Sequence, residues 1–103
     1  MRVADLLREY DEEVAWAERL SKHFGLPCSV YYSNSEDSTD WYDVRVSLDR
    51  GVKADDMDVQ LLKDIGPAQI KKVISASNPK SRIVVSDATM TDRGMRFSVG
   101  VAS

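Results

Sequence analysis

Residues 28–48, CSVYYSNSEDSTDWYDVRVSL, decide the fold, because apolar and polar side chains alternate on both sides of a polar, acidic centre. The alternating apolar positions share one face: Cys28, Val30, Tyr32, Tyr42, Val44, Val46 and Leu48. A period of two residues is the pattern of a half-buried β-strand. The stretch therefore predicts a β-hairpin with one face packed on a core and a second, polar face that also carries Tyr31 and Trp41.

The segment before the hairpin has the apolar spacing of an amphipathic helix. Apolar side chains recur at steps of three and four residues: Val3, Leu7, Tyr10, Val14, Ala17, Leu20 and Phe24. Such a stripe packs one helix face on a core. Gly25 and Pro27 predict the end of the helix, since glycine accepts a left-handed C-cap and proline cannot continue a helix. Trp16 falls on a separate, charged face, so we expect it at the edge of the core or in a contact.

The third segment predicts a helix that is broken near its middle. Apolar side chains keep a helical spacing on both sides of a Gly-Pro pair: Met57, Leu61, Leu62, Ile65, Ile70, Val73 and Ile74. Gly66 and Pro67 predict the break, with Pro67 as the first residue of the second helical piece. An alternative is a short strand over residues 57–61, which leaves residues 67–77 as the helix.

The C-terminal residues again have strand character. Residues 82–88 are followed by a glycine-containing turn at residues 89–94 and by a last alternating stretch. The chain order αββαββ predicts an α+β fold, with a four-stranded, mainly antiparallel sheet and two helices on one face, the second broken at Gly66-Pro67. We expect a single domain over residues 1–103, because 103 residues supply one core and not two.

Composition is typical of a globular protein. The chain is 43% hydrophobic and 30% charged, unlike a disordered segment. Cys28 is the only cysteine, so the chain cannot form an intramolecular disulfide. Charges interrupt the N-terminal residues every few positions, so we expect neither a signal peptide nor a membrane span. These features predict a soluble, cytoplasmic protein.

Charge is distributed unevenly along the chain. The formal net charge is -3, but residues 34–64 are acidic and residues 65–103 are basic. Such a separation either creates partner-facing surfaces of different sign or lets the two parts of the chain attract each other.

The acidic centre of the hairpin is the main candidate binding site. The residues predicted to contact a protein partner come from the hairpin, except for the last one, which belongs to the first helix: Tyr31, Glu36, Asp37, Asp40, Trp41, Asp43 and Trp16. Carboxylates steer a basic partner and aromatic side chains anchor it. A connection over residues 33–43 is long for a hairpin, which favours a recognition loop; a solvated hairpin tip is the alternative. A calcium site is disfavoured, because Thr39 and Arg45 replace the glycine and glutamate of a calcium loop.

Residues 61–74, LLKDIGPAQIKKVI, support a second hypothesis. Their second half resembles the helix-hairpin-helix element, which presents N–H groups and basic side chains to DNA phosphates, although its first glycine is missing and Asp64 stands near the phosphate position. The resemblance implies phosphate contacts at Lys71 and Lys72. The full candidate set for nucleic-acid binding is the basic C-terminal third: Lys71, Lys72, Lys80, Arg82, Arg93 and Arg96. The acidic net charge argues against general phosphate affinity.

Recognisable catalytic motifs are absent from the sequence. His23 is the only histidine and lies on the charged side of the first helix, and there is no phosphate-binding glycine loop, nucleophile elbow or metal-ligand spacing. We therefore predict a protein that is not an enzyme, has no cofactor or metal, binds a protein partner, and is a monomer or a homodimer.

The leading functional hypothesis is a small regulatory protein. Small acidic domains are common among phage and mobile-element accessory proteins, where an acidic surface can occupy the nucleic-acid site of a host nuclease. By this association of class, the protein would inhibit a host factor such as a defence nuclease, as anti-CRISPR proteins do. The alternative is a nucleic-acid-binding module that uses the basic third and the Gly66-Pro67 turn.

Overall fold

The computed structural model describes residues 3–48, 56–91 and 93–102, and side chains from residue 12 onwards except that of Asp58. The predicted core positions Val3, Leu7 and Tyr10 thus lie outside the described side chains. The elements, in chain order, are α1 (Val3–Phe24), β1 (Cys28–Glu36), β2 (Thr39–Ser47), α2 (Asp56–Lys63), α3 (Pro67–Ser77), β3 (Arg82–Val85), β4 (Thr89–Thr91) and β5 (Gly94–Ala102). The predicted α+β class, with a broken second helix, is confirmed.

The described strands form one antiparallel sheet in the order β1-β2-β5-β3, with β4 also paired to β5. β3 and β4 lie end to end along the same edge of β5. Between them, the backbone N–H of Ser86 donates to the carbonyl of Ser98 at 2.9 Å, and the Ser86 hydroxyl accepts from the N–H of Ser98 at 2.8 Å. The predicted strand over residues 82–88 therefore ends earlier, at Val85, and the predicted turn over residues 89–94 is shorter because Thr89–Thr91 pairs with β5.

β1 and β2 form the predicted hairpin, but a two-residue turn joins them. Strand pairing continues to Glu36 and Thr39, with one β-bulge on the way. Asp37 and Ser38 form the turn, with φ values of 50° and 63°. Positive φ at both central residues is typical of a type I′ turn, whose twist matches that of the paired strands. The prediction of a long connection over residues 33–43 is wrong, because most of these residues belong to the two strands.

One face of the sheet and the helices enclose the core. Its buried apolar residues are Trp16, Leu20, Phe24, Leu26, Val30, Tyr42, Val44, Val46, Leu62, Ile65, Ile70, Ile74, Ile83, Met95, Phe97 and Val99. α1 and α3 lie on this face and touch each other, where the guanidinium of Arg19 donates to the Ser77 hydroxyl. No described element covers the opposite face, here called the open face, which presents Ser29, Tyr31, Trp41, Asp43, Arg45, Arg96 and Ser98.

α1 packs on the core with a face that shares Leu20 and Phe24 with the predicted stripe but includes Trp16 in place of Val14. Trp16, Leu20 and Phe24 are buried at steps of four residues, whereas Val14 is 40% exposed. Trp16 is 4% exposed, and its ring meets the ring of Tyr42 edge-on, with centroids 4.8 Å apart. Burying an indole against a tyrosine removes more apolar area from water than burying a valine. Trp16 therefore lies in the core and has little exposed surface left for the predicted partner contact.

The Gly-Pro pair separates two helices, as predicted. α2 is helical throughout, with Leu62 buried, so the strand alternative for residues 57–61 is wrong. Gly66 is extended, and its N–H donates to the side-chain oxygen of Gln69 at 3.1 Å. Pro67 is the first residue of α3, where its missing N–H has no helical partner to lose.

Candidate functional site

The end of the β1–β2 hairpin carries three exposed carboxylates, here called the acidic tip: Glu36, Asp37 and Asp40. None of the three forms an ion pair with another described residue. Glu36 lies on the open face in a shallow depression with Trp41, whereas Asp40 lies on the helix side in a depression with Glu12. Asp37 occupies the turn between them. The carboxylates thus surround the tip instead of sharing one sheet face.

Asp43, the fourth predicted carboxylate, is held between two arginines on the open face. Its Oδ2 accepts from Nε of Arg45 at 3.1 Å, and its Oδ1 lies 3.7 Å from Nε of Arg96. The Asp43 side chain is only 23% exposed. Because both carboxylate oxygens already face a guanidinium, Asp43 is less available to a partner than the carboxylates of the acidic tip.

Trp41 lies against β5, directly over Gly100, its partner in the strand register. A Cβ atom on Gly100 would come within 2.9 Å of Cη2 and Cζ3 of the indole. The half-buried ring therefore covers backbone that a glycine leaves bare, a known use of aromatic side chains on sheets. The contact gives Trp41 a structural role, and only its remaining surface can meet a partner.

Tyr31 lies on the open face beside a group of basic side chains. The ring is 53% exposed, and the guanidinium carbon of Arg45 lies 5.5 Å from its centroid, within the range of a cation–π contact. Next to this pair lies a depression of about 520 Å³, which is bordered by Ser29, Tyr31, Arg45, Thr91, Arg93 and Arg96. The open face is therefore basic and aromatic near the base of the hairpin, while the acidic tip lies at its far end.

The hairpin is fastened to α1 on its other side. Glu13 accepts a hydrogen bond from the backbone N–H of Tyr32 at 3.1 Å, which occupies a donor on the outer edge of β1. The Tyr32 ring meets the Tyr42 ring edge-on at 5.5 Å, and Tyr42 in turn meets Trp16. The hydrogen bond at Tyr32 and the edge-on aromatic contacts thus help to join the helix to the hairpin.

The predicted basic residues do not form one surface. They lie on α3 (Lys71, Lys72), in the turn before β3 (Lys80), on β3 (Arg82), before β5 (Arg93) and on β5 (Arg96). Helix α3 and the open face are on opposite sides of the sheet. At the turn that resembles a helix-hairpin-helix element, the N–H of Gly66 already donates to the side chain of Gln69. Basic residues that share the C-terminal third of the sequence therefore do not share one surface of the structure.

A groove between α1 and α3 was missed by the sequence reasoning. It measures about 400 Å³, and its lining combines basic side chains with apolar ones: Arg19, Lys22, His23, Lys72, Val73 and Ala76. His23 is exposed, with its ring 5.0 Å from that of Phe24. The helical wheel placed Arg19 and His23 on one face, but only the packing of α3 creates the groove.

Cys28 is half-buried at the start of β1. Its N–H donates to the hydroxyl of Ser21 at 2.8 Å, and its Sγ lies 3.4 Å from the carbonyl oxygen of Leu26. Burial raises the pKa of the Cys28 thiol to about 11, and a hydrogen bond between the thiol and the Ser21 side chain opposes this shift only in part. The thiol is therefore protonated at neutral pH and a poor nucleophile.

Within residues 3–48, 56–91 and 93–102, no group of three or more His, Cys, Asp or Glu side chains is placed to hold a metal ion. The helices of these segments include none that is long and apolar enough to cross a membrane.

Comparisons of the chain with protein-family models, with curated proteins and with solved structures find no match.

Proposed function

We propose that this protein is a non-enzymatic regulator that binds a protein partner through the acidic tip. One observation carries the proposal: Glu36, Asp37 and Asp40 are exposed at the end of a two-stranded arm, without ion pairs to other described residues. Carboxylates that are not neutralised within the protein attract a basic surface and accelerate association. The partner is therefore a protein with a basic patch.

The hairpin is suited to present these charges in a fixed arrangement. Strand pairing continues to the turn, and Thr39 also pairs with Ala102 of β5, so β2 is supported on both sides near the tip. Glu13 fastens the outer strand at Tyr32. A preformed binding element loses less conformational entropy on association than a flexible loop.

A basic partner surface is typical of proteins that bind nucleic acid. In this proposal the acidic tip takes the place of phosphate groups on such a surface. The protein acts in the cytoplasm as an accessory protein of a phage or mobile element, and it inhibits a host factor such as a defence nuclease, in the manner of anti-CRISPR proteins. This choice of class rests on the acidic surface and the small size, and it is an association by class.

The test neutralises the acidic tip without changing its shape. Glu36→Gln, Asp37→Asn and Asp40→Asn are combined, and asparagine tolerates the left-handed backbone at position 37. Wild-type protein captures the partner from a host lysate, and the affinity of the purified partner is measured by calorimetry. We expect the triple variant to bind at least about tenfold more weakly, since three charge contacts of up to about 1 kcal/mol each are lost.

A matched variant removes the same charge elsewhere. Glu18→Gln, Asp64→Asn and Asp87→Asn change exposed carboxylates outside the hairpin, and we expect this variant to bind like the wild type. Equal weakening in both variants would indicate an effect of net charge alone. Unchanged affinity in the tip variant would rule out the acidic tip as the binding site.

A further inference from the structure

Arg45 of β2 and Arg96 of β5 stand directly opposite each other on the open face. Each side chain is roughly half exposed. Like charges at directly opposed positions of neighbouring strands destabilise a sheet. Asp43 compensates one of the two charges, so the three side chains keep a net positive charge. Because sheet stability alone does not favour this arginine pair, we looked for a ligand that would.

Asp43 orients the guanidinium groups of Arg45 and Arg96 and leaves their Nη groups available to a ligand. Its carboxylate faces Nε of Arg45 at 3.1 Å and Nε of Arg96 at 3.7 Å. The Nη groups of the two arginines form no hydrogen bond within the described residues. Guanidinium forks bind phosphate in a bidentate manner. Since directly opposed residues have Cβ atoms about 5 Å apart, both forks can reach the same phosphate group.

Tyr31 adds an aromatic surface next to this pair. Arg45 packs against the ring, yet the ring remains 53% exposed. The adjoining depression of about 520 Å³ also has the hydroxyls of Ser29 and Thr91 on its border. An uncovered antiparallel sheet face with arginine and an exposed aromatic ring suits unpaired bases, which stack on side chains while their phosphates contact basic groups.

We propose that the open face binds a nucleotide phosphate between Arg45 and Arg96, with the attached base stacked at Tyr31. The recognised chemistry is a phosphate linked to an unpaired base, as in a single-stranded nucleic acid or a free nucleotide. The site goes beyond the proposed function and is separate from the acidic tip: Arg45 pairs with Ser29 near the base of the hairpin, whereas Glu36 is at its end.

The experiment measures binding of fluorescently labelled oligouridylate and oligothymidylate, each roughly ten nucleotides long, by anisotropy between about 20 and 200 mM salt. Uridine monophosphate is titrated separately and followed by NMR shifts. We expect R45Q/R96Q to bind the strands at least about tenfold more weakly, and the slope of log affinity against log salt to fall by about 0.7, since one phosphate contact on a single strand is lost. Y31A should weaken binding with little change in this slope.

Two further variants separate geometry from charge. R45K/R96K keeps the charge but loses the bidentate forks, so we expect weaker binding with a retained salt slope. K71Q/K72Q removes the same charge from α3, on the other side of the sheet, and should bind like the wild type. Circular dichroism and thermal melting check that each variant is folded.

Two outcomes support the proposed site, provided that binding depends on Arg45 and Arg96. If only the oligonucleotides bind, the phosphate belongs to a nucleic acid. If uridine monophosphate binds as well, one nucleotide is sufficient. Absence of wild-type binding to every probe at about 20 mM salt overturns it. Undiminished binding by R45Q/R96Q, or equal weakening by K71Q/K72Q, also overturns it.

Discussion

Cys28 shows how packing changes the chemistry of a single residue. The thiol lies beside Ser21 and Leu26 at the start of β1, and burial raises its pKa to about 11. The unfolded chain has the ordinary, lower thiol pKa, so it releases this proton first as pH rises. The stability that comes from the protonated thiol is complete below the unfolded pKa and is lost as pH rises through the folded one.

We therefore expect the free energy of unfolding to decrease between about pH 9 and pH 11, by roughly 1–2 kcal/mol from this group, since its partial exposure reduces the full effect. Urea denaturation at several pH values measures the change. Alkaline pH affects the whole protein, so Cys28→Ala is the reference, and only the difference in unfolding free energy between the two proteins counts. Parallel pH profiles for both proteins would contradict the prediction.

The two tryptophans show what residue patterns can and cannot predict. The alternation around residue 41 correctly predicted that Trp41 lies on the open face. It did not predict that the indole covers Gly100, because that contact joins residues that are far apart in the chain. For Trp16, the helical wheel predicted a position on the charged face outside the apolar stripe, whereas the contact with Tyr42 of β2 accompanies its burial in the core.

At the scale of elements, the β1–β2 turn is the feature with the clearest local strain. Asp37 and Ser38 both adopt positive φ, which costs a residue with a side chain more than it costs glycine. We expect Ser38→Gly to stabilise the protein by about 0.5–1 kcal/mol, as measured by urea denaturation. The acidic tip keeps all its carboxylates in this variant, so partner binding should persist.

Ser35→Gly provides the contrast for the turn variant. Ser35 lies in β1, paired with Asp40, so glycine there adds flexibility without relieving a positive φ. We expect it to destabilise the protein by about 0.5–1 kcal/mol. A loss of stability in Ser38→Gly as well would be inconsistent with a type I′ turn at this position.

Helices and strands were predictable from the sequence where one face is buried. They were less predictable where the pairing of strands decides how far a strand extends. The period of two located both strands of the hairpin, and Gly66-Pro67 located the boundary between α2 and α3. The extent of the strands beyond residue 33 was missed, because Ser, Asn, Glu and Asp have low strand propensity and no apolar alternation marks the register there. Pairing with β5 extends β2 to Thr39, opposite Ala102.

At the scale of the whole molecule, one buried cluster connects helices and sheet. It joins Trp16 and Leu20 of α1 with Ile70 of α3 and Phe97 of β5. Since the elements share this cluster, we expect a single cooperative unfolding transition over the whole chain. Far-UV circular dichroism and tryptophan fluorescence in urea should give the same midpoint.

A Trp41→Phe variant makes the comparison sharper, because its fluorescence then reports only Trp16 in the core. We expect its fluorescence midpoint to coincide with its circular dichroism midpoint. Separate transitions would show that parts of the chain fold independently, and the predicted single domain over residues 1–103 would then be wrong.

The distribution of charge also belongs to the whole molecule. The sequence separates an acidic middle from a basic C-terminal third, whereas the structure has an acidic tip, a basic groove between α1 and α3, and a basic half of the open face. Arg19 and Arg45 come from outside the basic third, yet each lies on one of the basic surfaces. The proposals for a protein partner and for a nucleotide therefore use surfaces that only folding assembles.

The sequence by itself determined the class of fold, the hairpin, the helix break and the existence of an open sheet face. These follow from periodicity and from the backbone preferences of glycine and proline, which act over a few neighbouring residues. Only the tertiary structure decided which face of α1 enters the core, that the hairpin ends in a two-residue turn, and that Arg45 and Arg96 meet across Asp43. Each of these depends on contacts between segments distant in the chain, and strand register and helix packing select those contacts after the local elements exist.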